Sequence, residues 1–122
     1  MKTKHIGNDD MKTCVENAIN ALLTPGQPVD AILFAANAIA THGLRHINAL
    51  RIKVPEQLAL VSFDKTDAWD LFYAPLTYIN QPLPEIGRLA TKVLIDAIEG
   101  NSKITQINLP AELVIRSSTV NR

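Results

Sequence analysis

An α/β fold built on a parallel sheet is the fold class this chain predicts, and three observations predict it. Ala31-Ile32-Leu33-Phe34-Ala35-Ala36 and Leu58-Ala59-Leu60-Val61-Ser62-Phe63 are short, almost unbroken apolar runs rich in branched and aromatic side chains. Runs of this kind read as strands buried on both faces, which belong to parallel sheets covered by helices. Between them Ile39, Gly43, Ile47 and Leu50 share one helical face with Leu44 beside it, so residues 29–63 read as strand, helix, strand. Such a unit crosses over right-handed almost without exception.

The elements follow in order. Residues 1–9 carry no periodicity and are expected to be a lead-in, while Asn8, Asp9 and Asp10 offer capping oxygens and negative charge for a helix start. Met11, Val15, Ala18, Ile19 and Leu22 then lie on one helical face, and Thr24-Pro25-Gly26 closes the element. Cys14 sits beside that face and is expected to be a small buried hydrophobe. Pro28-Val29-Asp30 leads into the first strand, and Asn37 ends it and is placed to cap the next helix. Lys53-Val54-Pro55 stops that helix before the second strand. Past a short aromatic segment, Pro75 to Asn80 extends again. Pro84 suits a first helical turn, and Ile86, Leu89, Ala90, Val93, Leu94 and Ala97 make an apolar stripe ended by Gly100. Ile107-Asn108-Leu109 and Glu112 to Arg116 are expected strands.

Composition narrows the function. The 122 residues suit one domain, and 47% apolar with 20% charged is ordinary for a globular chain. Twelve basic residues balance twelve acidic ones, so no charge excess equips the chain to hold nucleic acid on its own. The single cysteine makes no internal disulfide, the polar start lacks the apolar core of a secretory signal, and no stretch is long and apolar enough to span a membrane. A cytoplasmic location is the expectation.

No catalytic or metal set is expected. His42 and His46 lie four apart, but Gly-Leu-Arg between them lacks the glutamate of a zinc-protease helix, and surface or interface histidines are the simpler account. Asp64, Asp67 and Asp70 recur every third residue, which matches no calcium loop. Capping and solvation account for Asp67 and Asp70, whereas Asp64 stands where the second strand ends, the side on which open α/β sheets collect ligands. Trp69, Phe72 and Tyr73 are half the aromatics of the chain. Core packing explains such a group first, and lining a cleft for a flat or sugar-like ligand second. An enzyme using Asp64 and Asp67 as an acid/base pair is a remote alternative.

Four blocks then carry a resemblance: DAILFAANAIA (Asp30 to Ala40), IKVPEQLALVSFD (Ile52 to Asp64), APLTYINQPLPEIGRLA (Ala74 to Ala90) and LPAELVIRSST (Leu109 to Thr119). In this order and spacing they resemble the C-terminal part of LacI/GalR-type transcription regulators, from about Met11 to the end. The resemblance implies a partial periplasmic-binding-protein-like fold with Rossmann-like lobes around a cleft. Residues 10–82 would be the C-terminal effector-binding lobe, 83–101 a crossover helix belonging to the first lobe, and 102–122 returning C-terminal strands. It implies binding of a sugar-like or nucleobase-like effector, no cofactor, no enzymatic activity, a homodimer, and DNA contact only through a helix-turn-helix with no counterpart here.

Residue by residue, the resemblance places ligand contacts at Asn37, where the family usually has an acid after Asn, and at Gln81. Asp64, Trp69 and Tyr73 join them as expected ligand-binding residues. Lys65 stands where a second aspartate is frequent. Ile39, His42, Gly43, His46 and Ile47 are the expected dimer interface. With the first lobe's sheet missing, the stripe on helix 84–99 would stay wet, at about 1.5–3 kcal/mol for each large side chain. That helix is therefore expected to dock back on its own chain or to pair with a second copy. A fragment of a periplasmic sugar receptor of a transporter is the alternative within the same fold.

Overall fold

The computed structural model describes residues 10–26, 28–101 and 106–120, so the lead-in 1–9 lies outside the described residues. The elements run α1 (Met11–Leu22), β1 (Ala31–Phe34), α2 (Asn37–Ala49), β2 (Ala59–Phe63), a 3₁₀ helix (Asp67–Leu71), β3 (Thr77–Asn80), α3 (Leu83–Ile98) and β4 (Glu112–Val114). Asp10 opens α1 as its N-cap: the carboxylate accepts from the Thr13 amide and, at 2.6 Å, from the Thr13 hydroxyl. These bonds hold the Asp10 carboxyl below the usual carboxylate range. α2 starts differently from expectation. Ala36, extended at φ −153°, is its N-cap, and Asn37 is already the first helical residue and makes no cap bond.

Among the described residues the sheet has four strands in the order β1-β2-β3-β4. β1 and β2 run parallel with Ala31 opposite Ala59 and Phe34 opposite Ser62, and β2 and β3 run parallel with Val61 opposite Thr77. β4 returns antiparallel to β3, Tyr78 facing Val114. The parallel pairing of the two apolar runs is as the sequence predicts. Their burial is not: in β1 Ile32 and Phe34 are buried, but Leu33 is 59% exposed. Among the described residues α2 packs on β1 and β2 and α1 packs on α2, so the strands alternate between a covered and an open face.

The core joins Val15 and Ile19 of α1, Ala40, Leu44 and Ile47 of α2, and Ile32, Phe34, Leu58, Leu60 and Tyr78 of the sheet region. Helix and strand approach closely at Gly43. A Cβ there would stand 2.5 Å from the Phe34 ring, closer than any real contact allows, so only glycine fits α2 this near β1.

The tail is tied in by a residue with no apolar signal. Fully buried Ser118 accepts the Thr77 amide at 2.8 Å through its hydroxyl, which donates to the Leu60 carbonyl at 2.6 Å. Its backbone amide donates to Pro75 O and its carbonyl accepts from the Leu60 amide. One side chain thus bridges β2 and β3. Residues 107–109, expected as a strand, form none.

α3 ends as the sequence predicts, with Gly100 left-handed at φ +83°. Its packing bears on the first of the two expected outcomes, docking on its own chain or pairing with a second copy. Among the described residues α3 has no contact with any other helix or strand and no buried residue; Ile107 and Leu109 border its stripe, leaving an open groove of about 590 Å³ over Ile86, Val93 and Leu94. The helix therefore does not dock back on the α/β body.

Candidate functional site

The carboxyl edge of the three parallel strands gathers the polar residues. Asn37 lies three positions past β1, Asp64 one past β2 and Gln81 one past β3. Parallel strands end on one side, so the loops after them share one rim. Asp64 makes the turn out of β2 with φ +70°, a left-handed conformation that costs a non-glycine residue about 1 kcal/mol or more. Three contacts hold it there. Its amide donates to Ile79 O at 3.0 Å, its carbonyl accepts the Trp69 indole N–H at 3.1 Å, and its Oδ1 accepts from Gln81 Nε2 at 2.5 Å.

Asn37 differs from both. Its carbonyl accepts the Thr41 hydroxyl, yet its side-chain Oδ1 is buried and has no hydrogen-bond partner among the described residues. An acceptor in that state costs about 1–3 kcal/mol, and the group that relieves it must be a donor. The rim thus holds one unmet acceptor, one carboxylate and one amide, which suits a neutral ligand rich in hydroxyl or N–H groups. No nucleophile and base stand paired here, and no three His, Cys, Asp or Glu residues come together anywhere among the described residues.

The aromatic residues part company with this rim. Trp69 is 1% exposed and belongs to the core; its indole supports the Asp64 turn and offers no face for stacking. Tyr73 is 59% exposed but lies at the opposite end of the sheet. Its hydroxyl accepts from the Val54 amide at 2.8 Å and donates to Ile52 O at 2.9 Å, both in the loop that precedes β2. The sequence gathers these rings within five residues; the fold buries Trp69 in the core and carries the Tyr73 hydroxyl to the loop before β2.

The expected dimer residues divide as well. Gly43 and Ile47 are buried against the sheet and present nothing to a partner. Ile39 packs on the core, and His46 bonds Asn20 Oδ1 at 2.8 Å, joining α2 to α1. His42 is half-buried on the same helix. The open side of α2 is instead Thr41, Arg45 and Asn48, which with Ala68, Leu71 and Phe72 borders a groove of about 400 Å³. Leu71, 88% exposed, stands beside it. The dimer role came from the resemblance; helical periodicity found the apolar stripe, and a core face and an interface face carry the same pattern, so Gly43 and Ile47 serve the core.

Comparison with known proteins agrees with this architecture. Residues 2–119 match the family described as a periplasmic binding protein-like domain. The HTH-type transcriptional repressor CytR of Escherichia coli K12 is 36% identical over 103 residues, which are 84% of this chain and 30% of that protein. The solved transcriptional regulator CelR–cellobiose complex superposes with a TM-score of 0.76 at 29% identity, covering 88% of this chain and 33% of that one. A LacI-family repressor structure from Corynebacterium glutamicum gives a TM-score of 0.81 over 98% of this chain and 46% of its own; at 23% identity it speaks for the fold alone. The chain spans less than half the length of each of these relatives.

Proposed function

This chain belongs to the periplasmic binding protein-like domain family, and from that premise we propose that it is the effector-sensing portion of a LacI-type transcription regulator. The effector is a sugar-like or nucleobase-like small molecule held on the carboxyl rim of the sheet by Asn37, Asp64 and Gln81. One observation carries the reading: a buried acceptor on Asn37 with no partner among the described residues, on the same rim as an aspartate held in a left-handed turn. Asn37 Oδ1 would take a ligand donor, Asp64 would accept a second, and the Gln81 amide would exchange its bond to Asp64 for one to the ligand. A relative solved with cellobiose supports the sugar class. The relatives' role as transcription regulators supports a binding role.

In this reading residues 10–82 and the returning tail form one lobe, and α3 belongs with a lobe that these residues do not supply. The open groove between α2 and the 3₁₀ helix, flanked by Leu71, supports pairing of two copies along that side. DNA would be held by a helix-turn-helix elsewhere in the regulator, which works in the cytoplasm, and ligand binding would bias the distance between two such heads.

The test is a titration of the isotopically labelled chain with a disaccharide and nucleoside panel, watching the side-chain amides of Asn37 and Gln81. A saturable shift of both, lost in Asn37→Ala and in Gln81→Ala, is expected. Saturable binding that leaves both amides unmoved would overturn the assignment of the rim.

A further inference from the structure

The end of the sheet opposite that rim carries a second hollow. About 610 Å³ in volume, it lies between the last turn of α2, the loop leading into β2, the segment before β3 and the turn at Ser117. Arg51 and Lys53 both line it, and neither takes part in the ion pairs of the described residues, which join Lys12 to Glu16, Arg88 to Glu85 and Arg116 to Asp70. Glu56 is the one carboxylate on the lining, so two cations face one anion. Tyr73 fixes the wall by bonding Ile52 and Val54.

Arg51 is in the wrong kind of place for an arginine. It is left-handed at φ +56°, just past the end of α2. There Leu50 N–H donates to His46 O, Arg51 N–H to Asn48 O and Ile52 N–H to Ile47 O. α3 closes with the same three bonds: Glu99 N–H to Ile95 O, Gly100 N–H to Ala97 O and Asn101 N–H to Asp96 O. The same helix stop therefore occurs twice in one molecule, once with glycine at the left-handed position and once with arginine. Glycine is the residue this position favours. A local rule broken without a local gain points to a use for the side chain. The α2 carbonyls that would repel an anion are satisfied by those same three amides, and the guanidinium fork suits a phosphate or carboxylate.

We propose that this hollow is a ligand site for a small phosphate- or carboxylate-bearing metabolite, held by Arg51 and Lys53 with Asn48 and Ser117 available to its hydroxyls. It stands apart from the carboxyl rim and does not rest on the function proposed for that rim.

The test uses inorganic phosphate and, separately, acetate, each titrated into the labelled chain against sodium chloride at equal ionic strength, with the amides of Arg51 to Val54 and Ser117 as reporters. Saturable shifts with a millimolar midpoint are expected for at least one of the two anions, and which one responds identifies the group recognised. Arg51→Gly is the deciding variant. It is expected to weaken the anion's midpoint tenfold or more while raising the thermal midpoint by about 3–5 °C, because the strained turn relaxes. Lys53→Ala is expected to weaken binding without the thermal gain. No saturable shift for either anion, or equal binding by Arg51→Gly, would overturn the site.

Discussion

Ser118→Ala removes one oxygen from the interior and should be among the most damaging small changes in the chain. The hydroxyl accepts the Thr77 amide and donates to the Leu60 carbonyl, and the residue has no exposed surface through which water could replace it. Without it the Thr77 N–H is left buried and unpaired, at about 1–3 kcal/mol, and the Leu60 carbonyl loses a donor worth about 0.5–1.5 kcal/mol. The sum is about 2–4 kcal/mol, a large share of the roughly 5–15 kcal/mol by which domains are stable. Urea unfolding followed by circular dichroism measures it, and at a mid-range slope of about 2 kcal/mol per M the midpoint should fall by about 1–2 M. Exposed Ser117 is the control, and Ser117→Ala should stay within about 0.5 kcal/mol of wild type. Hydrogen exchange should show the Thr77 amide losing its protection. A Ser118→Ala protein within 0.5 kcal/mol of wild type, with Thr77 still protected, would refute the idea that this hydroxyl pins β2 to β3.

Other expectations follow from the same packing. Gly43→Ala should destabilise by about 1–3 kcal/mol through collision with the Phe34 ring, and Phe34→Leu in the same chain should recover part of that loss in a double-mutant cycle. Ile47→Ala should lose about 2–5 kcal/mol, whereas Leu94→Ala on α3, with 62% of its surface exposed, should change chemical stability by less than about 0.5 kcal/mol. Equal losses at the two positions would mean that α3 packs in solution. Acidification should loosen the start of α1: the Asp10 carboxyl titrates lower in the folded chain than unfolded, so its contribution is complete above the ordinary carboxylate range and disappears as pH falls through its lowered value. Protection of the Thr13 amide, taken relative to its intrinsic exchange rate at each pH, should fall over that window in the wild type, and in Asp10→Asn it should show no such titration.

The local pattern of the chain was enough to name most of its elements. Two apolar runs around a 3.6-residue stripe specify a strand–helix–strand unit, and β1, α2 and β2 run as that unit should. Residues after strands can also be assigned to a rim without coordinates, since parallel strands all end on one side; Asn37, Asp64 and Gln81 were legible on that ground and on their resemblance to known regulators. Periodicity reports which side of an element is apolar. It is silent about what that side meets.

That is where tertiary structure decided. Gly43 lies against the Phe34 ring and Ile47 is buried in the core, so two of the five residues expected at a dimer contact serve the core instead. Trp69 and Tyr73 both left the rim as the chain travelled back along the sheet toward β3, the Trp69 ring into the core and the Tyr73 hydroxyl to the loop before β2. Ser118 joined residues 41 and 58 positions away, a distance at which a serine in a polar tail gives no signal. Nothing in the sequence around Arg51 marks its backbone as left-handed. In each case a hydrogen bond or a steric limit between residues far apart in sequence chose among placements that the local pattern held equal.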